Sequence, residues 1–395
     1  MIEIEADCLL QADRICAPAR VSISRDGIIE ELRPDSSSRG SGTLLGPGFV
    51  DLQVNGFGGV DLLSATPDEF RELARMLART GVTSFLPTLC SAPLEVLEQS
   101  LRRLDEASGS WPDDAARPLG FHLEGPFLNP ELRGAHAAED LRPADPRELE
   151  RLLDAGDVRL VTLAPEIPGA EELIRLAVER GVRVSLGHSM ASHAEALRAV
   201  ELGATLCTHF MNTMAPLHHR EPALPGLALT DERVFLCLIP DLVHLHPAVL
   251  ELALRARSAR GLILVTDATA AAGCPDGDYR LGERRIRKEG DVIRDPDGRL
   301  AGSCLTMQEG VQRVRTATGA GWLETALASA SNPARALGLD RELGSLAAGR
   351  RADILEWRET SPGETRLARV WLAGKALEPL PGRQTRSTSG SPDPK

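Results

Sequence analysis

Lysine is almost missing from this chain. It stands at 288, 375 and 395 and nowhere else, so Arg carries nearly all of the positive charge. Paired cysteine motifs are missing as well. The seven Cys lie scattered at 8, 16, 90, 207, 237, 274 and 304, an odd number with no CxxC. That argues against a disulfide framework and predicts free, buried thiols in a reducing cytosol. No apolar run is long enough to span a bilayer. The opening residues, Met1 to Asp7, lack the basic stretch and apolar run of a secretory signal, so a cytoplasmic location is expected. Net positive charge is missing too. At −12 the chain is a poor candidate for non-specific binding to nucleic acid or to anionic membranes. An anionic substrate would require a local basic pocket.

What is present is a length of 395 residues, with 42% hydrophobic and 26% charged. That suits one large barrel with a smaller satellite domain. Residues 1–46 alternate apolar and polar around a turn at Asp26-Gly27, which predicts a small antiparallel sheet. From Pro47 the rhythm changes. Apolar runs near 49–54, 82–86, 118–123, 158–163, 182–186, 204–207, 233–239 and 261–265 make eight candidate strands. Amphipathic stretches at 68–79, 93–107, 146–154, 170–180, 192–202 and 247–257 separate most of them. Strand–helix alternation eight times over predicts an α/β fold, a (β/α)8 TIM-like barrel. An open doubly wound sheet is the alternative, but Gly56-Phe57-Gly58-Gly59 opens no helix in the GxGxxG manner.

Residues 271–302, charged and rich in Gly, Pro and Asp, predict an inserted hairpin or flap. Helical patterns resume at 306–318 and 322–338, and strand-like runs at 352–357 and 367–372 are expected to pair with the N-terminal sheet. The expected division is a small β-sandwich domain from 1–46 plus 343–376, a catalytic barrel over 47–342, and a disordered tail over 377–395.

Barrel enzymes place their chemistry at the C-terminal ends of the strands. Four such ends carry ionisable groups: Glu124 on the third, His188 on the fifth, His209 on the sixth and Asp267 on the eighth. One carboxylate and two imidazoles form the ligand set of an open catalytic zinc site, whose remaining position holds water. A divalent metal lowers the pKa of such a water from about 15.7 towards about 7, and Asp267 is placed to take its proton. A lone His near a strand end is more often packed than ligating; it is the coincidence of four groups at four ends that favours a metal site. His122 shares strand parity with Glu124, so both face the barrel interior. It is either a packed core residue or a partner that orients a ligand.

The motifs resemble a known family. Pro47-Gly48-Phe49-Val50-Asp51 begins a stretch similar to the first-strand signature of the amidohydrolase superfamily. His122-Leu123-Glu124-Gly125-Pro126-Phe127, Gly187-His188-Ser189, Thr208-His209-Phe210-Met211-Asn212 and Val265-Thr266-Asp267-Ala268 resemble, in order, the motifs of the N-acetylglucosamine-6-phosphate deacetylase family. Arg220-Glu221-Pro222, the Gly302–Met307 stretch and the Gly344–Asp353 stretch fit as well, so the resemblance covers roughly residues 1–376.

The resemblance implies hydrolysis of the N-acetyl group of N-acetylglucosamine 6-phosphate, giving glucosamine 6-phosphate and acetate, in a homodimer. It implies that Glu124, His188 and His209 hold one divalent metal ion, Zn2+ or alternatively Fe2+, Co2+ or Mn2+. Asp267 would be base and then acid, and His136 would contact the sugar and polarise the acetyl carbonyl. Asn212 and Thr213 would hold the substrate. Arg220 and His244 would grip the phosphate, partly from the neighbouring subunit.

Departures from the family pattern are informative. The superfamily often carries His-x-His on strand one and a carboxylated Lys on strand four. Here strand one offers Gln53 and Asn55, and no Lys precedes 288. A lysine-bridged metal pair is therefore excluded, and a single metal is expected, with Gln53 as a side chain that orients a ligand. Around His244 the sequence reads Asp241-Leu242-Val243-His244, where the family usually reads Asp-Gly-Leu-His. The missing Gly puts that backbone in question. Thr213 stands where Ala is common. His193, His218, His219 and His246 are read as surface residues. The rival readings are a deacetylase of another N-acetylated substrate, such as N-acetylgalactosamine 6-phosphate or an N-acyl amino acid, and a non-catalytic barrel binding protein.

Overall fold

The computed structural model describes residues 1–11, 14–16, 18–34, 42–361 and 364–380. Eight parallel strands form the barrel: β1 (Phe49–Val54), β2 (Val82–Cys90), β3 (Phe121–Glu124), β4 (Val158–Leu163), β5 (Arg183–Leu186), β6 (Leu206–Cys207), β7 (Phe235–Leu238) and β8 (Leu262–Leu264). Each pairs with the next along the chain. The ring closes just past β8, where Val54 bridges Ala268 in parallel and the Asp267 N–H donates to the Gln53 carbonyl at 3.0 Å. Closure therefore sets the end of the first strand against the end of the last. All eight expected strands are present within a few residues, and the open-sheet alternative is set aside.

The expected helices form for local reasons that the sequence carries. Pro67–Ala78 begins on a Thr66/Glu69 capping box with Pro at its first position, and it buries Phe70, Leu73, Ala74 and Leu77 along one face. Ser192 with Glu195 and Thr306 with Glu309 cap two later helices in the same way. One helix escapes periodicity. Ala223–Thr230 is buried on every side from Ala223 to Leu229 and contains Pro225 and Gly226. A helix with no solvated face has no amphipathic signal to read.

Inside the barrel the side chains stack in layers. Leu86, Leu160, Leu206, Cys237 and Ile263 belong to one buried apolar cluster. Two residues further along the same strand faces come Thr88, Thr162 and Thr208, beside His122 of β3. The chemistry sits above that polar layer, at the C-terminal rim.

The chain ends form two further sheets, as a sandwich requires. Ile2–Ala6, Ala19–Ile23 and Ile29–Pro34 make a three-stranded antiparallel sheet. Cys8–Leu10, Ile15–Cys16 and Thr43–Pro47 join Ile354–Ser361, Glu364–Leu372 and Lys375–Leu377 in a six-stranded sheet. Cys8–Leu10 and Thr43–Pro47 run parallel, a departure from the wholly antiparallel expectation. The two sheets share a core of Ile4, Val21, Ile29, Leu45, Ile354 and Trp371, because neither can cover its apolar face alone. Residues 277–294 form the expected flap, a three-stranded antiparallel sheet. The tail expected over 377–395 lies, from 381 onward, outside the described residues.

Candidate active site and metal centre

Glu124 ends β3, and His188 and His209 each follow their strands, β5 and β6, by two residues. All three are buried, and their ligand-capable atoms lie within 4.8 Å of one another. Nε2 of His209 stands 3.0 Å from Glu124 Oε1, Nε2 of His188 stands 3.3 Å from the same oxygen, and the two nitrogens are 3.0 Å apart.

The tautomer of His188 follows from its other nitrogen. Nδ1 faces the Leu132 carbonyl at 2.8 Å, and a carbonyl can only accept, so the neutral ring carries its proton on Nδ1. The Nε2 lone pair then points into the cluster. Two nitrogens and an anionic oxygen so close together repel unless something positive sits among them. Four-coordinate Zn2+ with bonds of about 2.0–2.1 Å holds its ligand atoms roughly 3.3 Å apart, which matches these separations. The donor set fits a divalent cation. Without one, protons do part of the work. Burial pushes the Glu124 pKa up, but the His188 and His209 rings set against it outweigh burial and hold the carboxyl well below its usual range. Burial likewise disfavours charge on His209, and the Glu124 hydrogen bond and charge overcome that to raise its pKa.

Asp267 stands against the open side of this cluster. Its Oδ1 accepts from Asn55 Nδ2 at 2.7 Å and from Gln53 Nε2 at 3.2 Å. Gln53 Nε2 also donates to Glu124 Oε1 at 3.1 Å, so this one amide ties the aspartate to the ligand carboxylate. Burial, and then the Glu124 charge, push the Asp267 pKa up to about 7. His188, His209, Thr213 and Asp267 all hold positive φ, between 28° and 50°. Non-glycine residues in that region store strain of about 1–3 kcal/mol each, which the surrounding fold must enforce.

His136 closes another wall. Its Nδ1 lies 2.8 Å from Ser91 Oγ and accepts the Ser91 backbone N–H at 3.3 Å. A backbone N–H can only donate, so the His136 proton sits on Nε2, which faces Glu124 Oε2 at 4.0 Å. Burial, and then the neighbouring His188, lower its pKa to about 3, so the ring is neutral. Cys90, Glu124 and His136 also stand close enough to suggest a second cation position. His136 presents a proton there rather than a lone pair, which argues against that use.

The remaining expected residues divide. Asn212, Thr213 and His244 line a cavity of about 320 Å³ together with the cluster. His244 Nδ1 donates to Asp241 Oδ2 at 2.7 Å, which fixes the ring and leaves Nε2 free to face a ligand. The question over its backbone has a direct answer: Leu242 adopts φ 61°, the left-handed conformation that favours Gly. Leu242 is 39% exposed, so little burial offsets the strain. Leu242→Gly is expected to stabilise the fold by about 1 kcal/mol, read as a higher urea midpoint at unchanged m-value. Arg220 lies on an exposed loop against His219 Nε2 at 3.0 Å and does not line the cavity. His122 hydrogen bonds Thr162 Oγ1 at 2.8 Å and the Leu52 carbonyl at 3.1 Å, one layer below the cluster. His246 caps the helix Pro247–Arg257.

Three contributors escaped the sequence reading as site residues. Asn55 shares strand parity with Gln53, a usable signal. Ser91 and Arg284 carried none. Arg284 reaches the cavity from the flap, pinned by the buried Asp295 at 2.8 Å.

A closed parallel barrel with a His–His–Glu cluster and a buried Asp on its C-terminal rim defines a barrel hydrolase of the metal-dependent class. The pattern of the amidohydrolase family matches residues 44–377, and the chain belongs to that family and, within it, to the N-acetylglucosamine-6-phosphate deacetylase family. An N-acetylgalactosamine-6-phosphate deacetylase of Escherichia coli O157:H7 is 37% identical over 354 residues, covering 89% of this chain and 92% of its own. The N-acetylglucosamine-6-phosphate deacetylase of Homo sapiens is 38% identical, covering 89% and 87%. A Mycobacterium smegmatis N-acetyl-D-glucosamine-6-phosphate deacetylase, solved as an Asp-to-Ala mutant with N-acetyl-D-glucosamine-6-phosphate, superposes with a TM-score of 0.86 at 32% identity, covering 95% of this chain and 98% of its own. Among the described residues no helix is long and apolar enough to cross a membrane.

Proposed function

We propose that this chain hydrolyses the acetamide of N-acetylglucosamine 6-phosphate to glucosamine 6-phosphate and acetate. The observation that carries the reading is Asp267, buried against the Glu124–His188–His209 cluster at the mouth of a cavity large enough for an amino sugar. Glu124, His188 and His209 would hold a divalent ion, which we take to be one Zn2+, and that ion would supply a lowered pKa to water near the acetamide. Asp267 accepts the proton of that water. Asn55 and Gln53 occupy its Oδ1, which leaves Oδ2 for the transfer. The oxygen adds to the acetyl carbon, the C–N bond breaks, and Asp267 returns the proton to the leaving nitrogen. His136, locked with its proton on Nε2, donates to the acetyl oxygen as negative charge grows there.

Asn212 and Thr213 hold the sugar, and His244 Nε2 meets the phosphate. Arg220, outside the cavity of its own chain, would complete the phosphate grip in the neighbouring subunit of a homodimer. The same reading takes the protein to be cytoplasmic, with the chain ends as a small domain (1–46 plus 343–376) beside the barrel (47–342). Arg220→Ala is expected to raise KM for the phosphorylated substrate about 10- to 100-fold, the value of one charge-assisted contact, and to leave turnover of unphosphorylated N-acetylglucosamine unchanged. Equal loss on both substrates would remove Arg220 from the phosphate.

The test of the reaction is amine release from N-acetylglucosamine 6-phosphate by the metal-loaded protein. The name of the Escherichia coli relative favours one second reading, the galactosamine epimer, and a kcat/KM comparison on the two sugar phosphates decides it. No turnover on either, with metal bound, would reject the assignment in favour of an N-acyl amino acid or a binding role.

A further inference from the structure

A second charged cavity lies at the opposite end of the barrel from the metal cluster. It holds about 270 Å³ between the starts of β1 and β2, at Pro47, Gly48 and Thr83, and the loop 341–353. We propose that it binds a small phosphate-class oxyanion. Four guanidiniums, Arg117, Arg341, Arg350 and Arg351, line it against two carboxylates, Glu342 and Asp353. Within a chain of net charge −12 this is a locally cationic chamber.

The pairing pattern supports this. Many exposed arginines take carboxylate partners, as Arg180 does with Asp154 and Arg233 with Asp231. Arg117 is half-buried, its side chain has no hydrogen bond or ion pair among the described residues, and the charge it meets most strongly is that of Arg351. Arg351 Nε forms an ion pair with Asp353 Oδ1 at 3.0 Å, off the line of a good hydrogen bond. That oxygen already accepts the Ala373 backbone N–H at 2.9 Å. Arg350 spends its donors on neutral acceptors: the Leu343 carbonyl at 3.1 Å, the Ser345 hydroxyl at 2.5 Å and the Asp340 carbonyl at 2.8 Å. Facing guanidiniums with this little compensation repel each other. An oxyanion between them converts that repulsion into attraction, and guanidinium geometry matches it with two parallel hydrogen bonds. Phosphate, with about 1.5 to 2 negative charges near pH 7, matches the excess of positive charge better than a carboxylate does.

The proposal is independent of the reaction assigned above. Its test uses the full, metal-loaded chain carrying Arg220→Ala, which weakens any phosphate grip in the active site. The thermal midpoint is followed against inorganic phosphate at constant ionic strength, with chloride as the control, and then against glucose 6-phosphate. A saturable rise is expected, and it should vanish in Arg117→Gln/Arg351→Gln. Inorganic phosphate alone raising the midpoint identifies the free ion as ligand, and a larger rise with glucose 6-phosphate identifies a phosphorylated metabolite. The same rise in the double variant, or no rise in its parent, overturns the site. A separate arm guards against a merely structural role. Because Arg117 lacks a partner, Arg117→Gln should leave the phosphate-free midpoint unchanged or higher, whereas a fall of several degrees would make it a structural ion and defeat the proposal.

Discussion

Asp267→Asn is expected to lower kcat by about 10²–10⁴-fold, the usual contribution of a positioned general acid–base, with KM within a few-fold of its starting value. The substitution is close to isosteric. An amide oxygen at the Oδ1 position keeps the hydrogen bonds from Asn55 and Gln53. What it removes is the capacity to take a proton and give it back. Because Glu124, His188 and His209 are untouched, metal content measured by mass spectrometry should stay the same as in the parent. That second readout separates the roles. Loss of activity together with loss of metal would make Asp267 a ligand rather than the base, and retained activity would place the base elsewhere in the cavity.

The complementary expectation concerns the metal itself. Glu124→Gln should reduce bound metal from about one ion per chain to near none and lower activity by about 10³-fold or more. Glu124 is the one carboxylate of the cluster, and its Oε1 faces Gln53, His188 and His209 together. Replacing it with an amide removes the negative charge that compensates a dication, and turns one end of the group into a donor aimed at histidine lone pairs or at Gln53. The folded protein should also lose the rise in thermal midpoint that added metal gives the parent. Should Glu124→Gln keep stoichiometric metal while losing turnover, the carboxylate would act on the substrate and the two histidines would need another partner.

How much of this was legible beforehand depends on the kind of signal. The eight barrel strands were, because buried parallel strands are short runs of Val, Leu, Ile and Phe between amphipathic helices. Residues at strand ends were legible too, since a barrel brings all of its C-terminal ends to one rim whatever the loops do. Glu124, His188, His209 and Asp267 were found that way. The helix Ala223–Thr230 was not, because a segment buried on all sides has no period to detect. Ser91 and Arg284 were not, because one hydroxyl after a strand and one arginine in a charged insert look like many others.

Residue identity and spacing were enough for the barrel, for the residue types gathered at its rim and for the exclusion of a lysine-bridged metal pair. Only the tertiary structure decided proton positions and pairings. The Leu132 carbonyl and the Ser91 backbone N–H lie 56 and 45 residues away from the histidines whose tautomers they fix. Barrel closure joins Asn55 to Asp267 across 212 residues. Leu242 takes a glycine-like backbone that its own side chain opposes. Directional hydrogen bonds act over about 3 Å in space, and local sequence patterns carry no record of which distant donor or acceptor will arrive there.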